Sequence, residues 1–146
     1  MKILRASAQP QESLENALAR IPQDFRLSTA VRLQVAVRGN AWRLPAEVWH
    51  EIYQIGREAI LNAYRHSGAE NIHAAIKYEP IGLRLSVRDN DCGIDPKELD
   101  SGRPGHWGLQ GMRERARRIG AKLQFRTVCG SGTALELFVG LKGTSI

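Results

Sequence analysis

The chain has 146 residues, the size of one ordinary domain with room for a core. Hydrophobic residues make up 42% and charged residues 25%, which excludes a disordered chain, and no apolar run approaches the ~18 residues of a membrane span. The two cysteines, Cys92 and Cys129, exclude a disulfide framework and a CxxC site, while a formal net charge of +6 leaves nucleic acid, an acidic membrane or a polyanionic small ligand open as partners.

Residues 1–11 read as a flexible tail, and 12–146 as a single domain. The start, MKILRASAQPQESLENAL, lacks the unbroken apolar segment of a signal peptide. Ser13 to Ala19 predicts a short amphipathic helix, with Leu14, Ala17, Leu18 and Ile21 at helical spacing and Pro22 ending or bending it. Val31, Leu33, Val35 and Val37 alternate with polar or small residues, a half-buried strand, and Gly39-Asn40 is a turn signal. Pro45 suits the first turn of a helix that runs to about Ser67, with Gly68 as its C-terminal stop. Asn71–Tyr78 and a second strand through Leu83, Leu85 and Val87 flank the turn Glu79-Pro80-Ile81-Gly82. Residues 94–107 are too polar for core and too long for a tight turn, as lids often are. Leu109 to Ile119 predicts a helix ended by Gly120, followed by strands over Leu123–Thr127 and Thr133–Val139. This order implies an α+β, two-layer sandwich: a mixed, mostly antiparallel sheet with helices on one face. The densest basic run, RERARR at 113–118, is interrupted by Glu114 and lacks interleaved aromatics, which argues against nucleic acid.

The long helix carries unusual chemistry. Glu58, Asn62 and His66 sit four residues apart with Arg65 beside them, on an arc of roughly 100°. That arc overlaps an apolar stripe of Val48, Ile52, Ile55, Ala59 and Ala63. Two readings stand open on these residues alone: a solvated face with i,i+4 pairs, or the wall of a site. Three glycine-rich stretches follow: DNDCG at 89–93, GHWGLQGM at 105–112 and GSGT at 130–133. Glycine lets a backbone approach a ligand closely, and helix N-termini present free N–H groups to anions. Gly108 and Gly111 lie at the start of a helix, where a phosphate cradle would be.

The order of these motifs resembles the ATP-binding catalytic domain of sensor histidine kinases, in the GHKL (Bergerat-fold) ATPase superfamily. REAILNAYRHSGAENI, 57–72, resembles the N box of the branch that pairs with NarL-type response regulators. DNDCGID, 89–95, resembles the first glycine box, and GHWGLQGMRERARRIGAKL, 105–123, that branch's second. GSGTALELFV, 130–139, resembles the final glycine-threonine box and closing strand.

The resemblance implies roles for these residues. Asn62 would give an amide oxygen to Mg²⁺, a hard ion that bridges ATP phosphates. Glu58 would be the catalytic carboxylate, polarising the attacking group, or a water, near the γ-phosphate. Arg65 and His66 would face phosphates or ribose. Asp89 would accept a hydrogen bond from the adenine amino group, with Asp91, Gly93 and Ile94 completing that wall. Gly108, Leu109, Gly111 and Met112 would line the phosphate and lid side, and Thr133 would bond near the adenine and Asp89.

Two departures accompany the resemblance. Asp91 stands where the first glycine box usually has its first glycine. Asp tolerates left-handed backbone, but its carboxylate works against a bound nucleotide. The family's phosphoacceptor histidine, on an upstream dimerising hairpin, has no counterpart in His50, His66, His73 or His106. The chain thus reads as the cytoplasmic ATP-binding fragment of a membrane-anchored bacterial sensor, without membrane or nucleic-acid contact of its own. Its expected partners are that phosphoacceptor domain and a response regulator. A degenerate nucleotide-binding module, or a related GHKL ATPase or serine kinase, is the alternative.

Overall fold

The computed structural model describes residues 11–66, 70–89, 108–128 and 132–140. The predicted stop at Gly68, the 94–107 loop and both cysteines lie outside the described residues. So does most of the predicted tail; its last residue, Gln11, is held by two hydrogen bonds to the Leu44 backbone, at 2.9 and 3.1 Å.

Helix α1 (Leu14–Ala19) and a single turn, α2 (Ile21–Asp24), precede strand β1 (Arg32–Arg38). Helix α3 (Ala46–His66) leads to β2 (Asn71–Glu79) and β3 (Gly82–Asp89), and helix α4 (Leu109–Arg118) leads to β4 (Lys122–Val128) and β5 (Gly132–Gly140). Ser13 caps α1, its side chain accepting from the Asn16 N–H at 3.2 Å. The first helix ends at Ala19, as expected, and Pro22 belongs to the separate turn that follows. It sits in the first turn of α2, where its missing N–H leaves no bond unmade.

The five strands run in the order β1-β2-β3-β5-β4. Strand β1 pairs with β2 in parallel, and every other pairing is antiparallel. The parallel pair exists because α3 carries the chain back along the sheet between β1 and β2; its 21 residues span about 30 Å. The mixed, mostly antiparallel sheet with helices on one face is the architecture expected from the sequence.

The core lies between sheet and helices. Ile72, Ala74, Ile76 and Tyr78 of β2, Leu83, Leu85 and Val87 of β3, and Leu135, Leu137 and Val139 of β5 are buried at every second position. Against them lie Val48, Ile52, Ile55, Ala59 and Ala63, the predicted stripe of α3, widened by Ile60. Leu14, Leu18 and Ile21 close the layer, and Leu18 meets α3 at Gly56, where an added Cβ would stand 3.0 Å from it.

Two helices end in the same motif with different residues in its left-handed position. After α4, Gly120 (φ +64) donates to Arg117 O, and Ala121 N donates to Ala116 O at 2.8 Å. After α2, Arg26 (φ +51) donates to Gln23 O, and Leu27 N donates to Pro22 O at 2.8 Å. A left-handed arginine carries a steric cost that glycine escapes. Arg26→Gly should therefore stabilise the fold by about 0.5–1 kcal/mol, and Gly120→Ala should destabilise it by about 1 kcal/mol, both read from urea denaturation.

Candidate functional site

Topology gathers the candidate residues at one end of the sheet. Helix α3 ends at His66 and β2 begins at Asn71, so the last turns of α3 lie beside the start of β2. Ile72 of β2 pairs with Asp89, the last residue of β3. Asp89 keeps the phase of Leu83, Leu85 and Val87, so its carboxylate is turned to the helix-covered side and is 5% exposed. Ala134 pairs with Arg88, which sets Thr133 at the neighbouring backbone position on β5.

On α3, Asn62 is buried, only 1% exposed. Its Oδ1 accepts from Arg65 Nη2 at 3.3 Å, and the same guanidinium nitrogen lies 3.9 Å from Glu58 Oε1. Glu58 is half-buried and Arg65 is exposed, so the arc runs from core to solvent over a single helix face. The two readings of this helix are thereby separated: a buried asparagine beside a half-buried carboxylate is not a solvated face.

Helix α4 begins against that arc. Gly108 adopts a left-handed conformation (φ +57) ahead of α4, and a Cβ there would stand 3.3 Å from Glu58 Oε1. Both the backbone and the neighbouring carboxylate favour glycine at this position. Gly111 differs: an added Cβ would meet nothing within 4 Å. A glycine inside a helix costs up to about 1 kcal/mol against alanine, and no neighbour among the described residues accounts for it. Leu109 and Met112, predicted to line the site, have side chains buried in the core, so what they offer a ligand is backbone. The side chains of His66 and Thr133, and all of Asp91, Gly93 and Ile94, lie outside the described residues.

One polar contact was not read from the sequence. Glu51 is 7% exposed on α3, and Arg115 Nη1 and Arg118 Nη1 of α4 donate to its two oxygens at 2.9 and 3.5 Å. The signal was present: Glu51, Ile55, Glu58 and Asn62 follow i, i+4, i+7, i+11 spacing, which places a carboxylate in phase with buried positions. The basic run at 113–118 is thereby divided: Arg115, half-buried, and Arg118, still exposed, reach Glu51, while Arg113 and Arg117 are exposed. Burial works to raise the Glu51 carboxyl, but the hydrogen bonds and charge of Arg115, then Arg118, outweigh it and hold the group below its ordinary value of 4.5.

Asn62 Oδ1 and the Glu58 carboxylate are oxygen donors of the kind Mg²⁺ takes, so the residues present fit that ion. Among the described residues no three His, Cys, Asp or Glu side chains cluster as a metal cage. A bound Mg²⁺ would therefore draw most of its ligands from phosphate oxygens and water.

Residues 48–143, about two thirds of the chain, match the family model described as histidine kinase-, DNA gyrase B-, and HSP90-like ATPase. The chain belongs to this family. It is 36% identical over 129 residues to the nitrate/nitrite sensor protein NarQ of Escherichia coli K12, covering 87% of this chain and 22% of that protein. It is 28% identical over 128 residues to the sensor histidine kinase LiaS of Bacillus subtilis 168, covering 88% of this chain and 34% of that one. The chain thus spans about a third or less of the length of these two relatives. Its fold matches the blue-light activated histidine kinase EL346 of Erythrobacter litoralis, with a TM-score of 0.73 at 21% identity over 88% of this chain and 40% of that one. The ATP binding domain of PrrB from Mycobacterium tuberculosis matches with a TM-score of 0.67 at 17% identity, over 88% of this chain and 94% of that domain. The fold is that of histidine-kinase ATP-binding domains. No helix among the described residues is long and apolar enough to cross a membrane.

The depressed Glu51 pKa gives a stability term that is complete above its unfolded value and is lost as pH falls through the folded one. Glu51→Gln should cost about 1–3 kcal/mol at neutral pH by leaving Arg115 short of its anion, measured by denaturant titration. The wild-type advantage over that variant should shrink as pH falls below 4.5.

Proposed function

We propose that this domain binds Mg-ATP and presents the γ-phosphoryl group to a histidine on a separate dimerising hairpin of the full protein, for relay to a response regulator. The single observation that carries the reading is the buried Asn62 amide beside the half-buried Glu58 carboxylate, with the start of α4 against Glu58. The likeness to a nitrate/nitrite sensor protein and to a sensor histidine kinase supports it.

Each residue has a task. Asp89, buried at the strand end, accepts a hydrogen bond from the adenine amino group, and Thr133 stands beside it. The free N–H groups at the start of α4 receive phosphate oxygens, and Gly111 keeps a side chain out of that approach. Arg65 leaves its intrahelical contacts to pair with phosphate, a change open to an exposed guanidinium. Glu58 orients the attacking imidazole and accepts its proton. When bound through Asn62, Mg²⁺ neutralises charge on the phosphates. Catalysis is then positioning and charge neutralisation, since the transferred group is transiently loose. The likeness to a nitrate/nitrite sensor protein and a sensor histidine kinase supports placing the chain in a sensor kinase, and we propose that its response regulator is of the NarL type and that the full protein is a membrane-anchored sensor.

Calorimetric titration tests the site. ATP should bind in the presence of Mg²⁺, and Asn62→Ala and Asp89→Asn should each weaken it at least about tenfold, the loss of one ligand or buried hydrogen bond. Equal affinity in all three proteins would reject these assignments. Joined to an upstream phosphoacceptor hairpin, the domain should yield acid-labile, base-stable phosphohistidine; phosphoserine would instead identify a serine kinase.

A second reading rests on Asp91. If its carboxylate repels nucleotide, the domain keeps the fold and serves partner contacts. Asp91→Gly should then raise ATP affinity by about tenfold or more, whereas an unchanged affinity upholds the kinase.

A further inference from the structure

The helices cover one face of the sheet. On the other face, residues in the alternate phase are exposed or half-exposed on all five strands. The pairing register lines up Arg38, Lys77, Arg84, Phe138 and Lys122 in one row, a residue from each strand. Arg32, Arg88 and Arg126 add three more cations in the same phase, against two carboxylates, Glu79 and Glu136. Both carboxylates are engaged, Glu79 with Arg84 at 3.0 Å and Glu136 with Arg126 at 4.0 Å. Among the described residues Arg38, Lys77 and Lys122 form no ion pair. The formal charge of the whole chain is +6, so this bare face holds much of its excess.

Like charges directly opposite one another across strands cost stability. Arg38, Lys77 and Arg84 stand in that relation over three neighbouring strands, and Glu79, paired with Arg84, offsets only part of the repulsion. The row also has an apolar floor. The Phe138 ring lies on Gly82, where an added Cβ would be 2.9 Å from Cζ, and the Arg84 guanidinium sits 4.7 Å from its centroid. A groove of about 370 Å³ opens here between Lys77, Ile81, Arg84, Lys122 and Phe138, and Ile81 is 66% exposed at its edge.

We propose that this face docks an acidic amphipathic α-helix of a protein partner, lying across the strands, with carboxylates on Arg38, Lys77 and Lys122 and one apolar side chain between Ile81 and Phe138. Spacing favours a helix. Strands lie about 4.8 Å apart, close to the 5.4 Å turn of a helix, so positions i, i+4, i+7, i+11 and i+14 meet the five strands in turn, with acids at i, i+4 and i+14 over Arg38, Lys77 and Lys122 and the apolar residue at i+11 over Phe138. A crossing β-strand repeats its face every ~6.8 Å and falls out of step. Charge complementarity supplies attraction and orientation, and the apolar contact supplies affinity. Phe138 is already covered by Arg84, so it offers no free ring for a nucleic-acid base. Among the described residues Ile81 is the single large apolar side chain protruding here, too little to enter a lipid interface.

Fluorescence anisotropy of a labelled helical peptide tests the proposal on the full chain. The peptide has about 18 residues, with Glu at i, i+4 and i+14 and Leu at i+11, so the acids and the leucine form one stripe. A control of the same composition has its acids spread around the helix. The striped peptide should bind at least about tenfold more tightly than the control at ~0.1 M salt. Lys77→Glu with Lys122→Glu should abolish binding, and Ile81→Asp should weaken it about fivefold or more. Circular dichroism should show the variants folded, and ATP affinity should stay unchanged in all of them, which separates this surface from the nucleotide site. Equal binding of the two peptides, or full binding by the Lys77→Glu/Lys122→Glu protein, would overturn the proposal. Tighter binding to an oligonucleotide of equal charge, or to phosphatidylserine vesicles, would overturn the choice of a helix.

Discussion

Helix α3 has one apolar stripe, and the sheet takes it whole. Ile52, Ile55 and Ile60 are fully buried, with Ala59 and Ala63 packed beside them. Each buried isoleucine contributes about 1.5–3 kcal/mol, so a rotation that exposed the stripe would cost several times the margin of a small domain. That burial fixes the helix about its own axis. Once it is fixed, the neighbouring positions have no freedom: Asn62 is carried into the interior, Glu58 to its border and Arg65 into solvent. The candidate site follows from core packing rather than from any contact among the polar groups.

Helix α4 is held more lightly. Its buried side chains are Leu109, Met112 and Ala116, and four of its ten residues are arginine. Glu51 compensates by taking Arg115 and Arg118 into one polar contact beside α3. These arginines also stand in the last turn of α4, where positive charge suits the helix dipole. The contact joins the two helices two turns from Glu58, and at the other end of α4 Gly108 rests against Glu58 itself. A buried carboxylate with no place in the proposed chemistry thus sets where the start of α4 stands.

The sheet separates two kinds of surface. One face is closed by helices and ends in Asp89, the only strand residue on that side with a buried charge among the described residues. The other is open, basic and built around Phe138. Alternation along each strand sends successive side chains to opposite sides, so Val87 and Asp89 serve the first surface and Arg84 and Arg88 the second within one strand. Substitution on the open face can therefore act without touching the nucleotide side.

The sequence by itself determined the elements, the mixed sheet and the identity of the polar arc. These are periodic properties: the alternation in β1 to β3, the stripe from Val48 to Ala63 and the glycine after α4 are all local, and local sterics and burial decide them. The first helix ends at Ala19 as its periodicity implied, while the short turn Ile21–Asp24 that follows, with Pro22 in its first turn, has too few residues to show a period. The choice between solvated arc and site wall was not local. Asn62 could have faced water on the same helix; only the sheet beneath and α4 beside it made it buried. The partnership of Glu51 with Arg115 and Arg118 joins residues 64 and 67 positions apart, and no spacing rule reaches that far. The row of cations across five strands likewise exists only once register is set, since one residue from each strand has no signature along the chain.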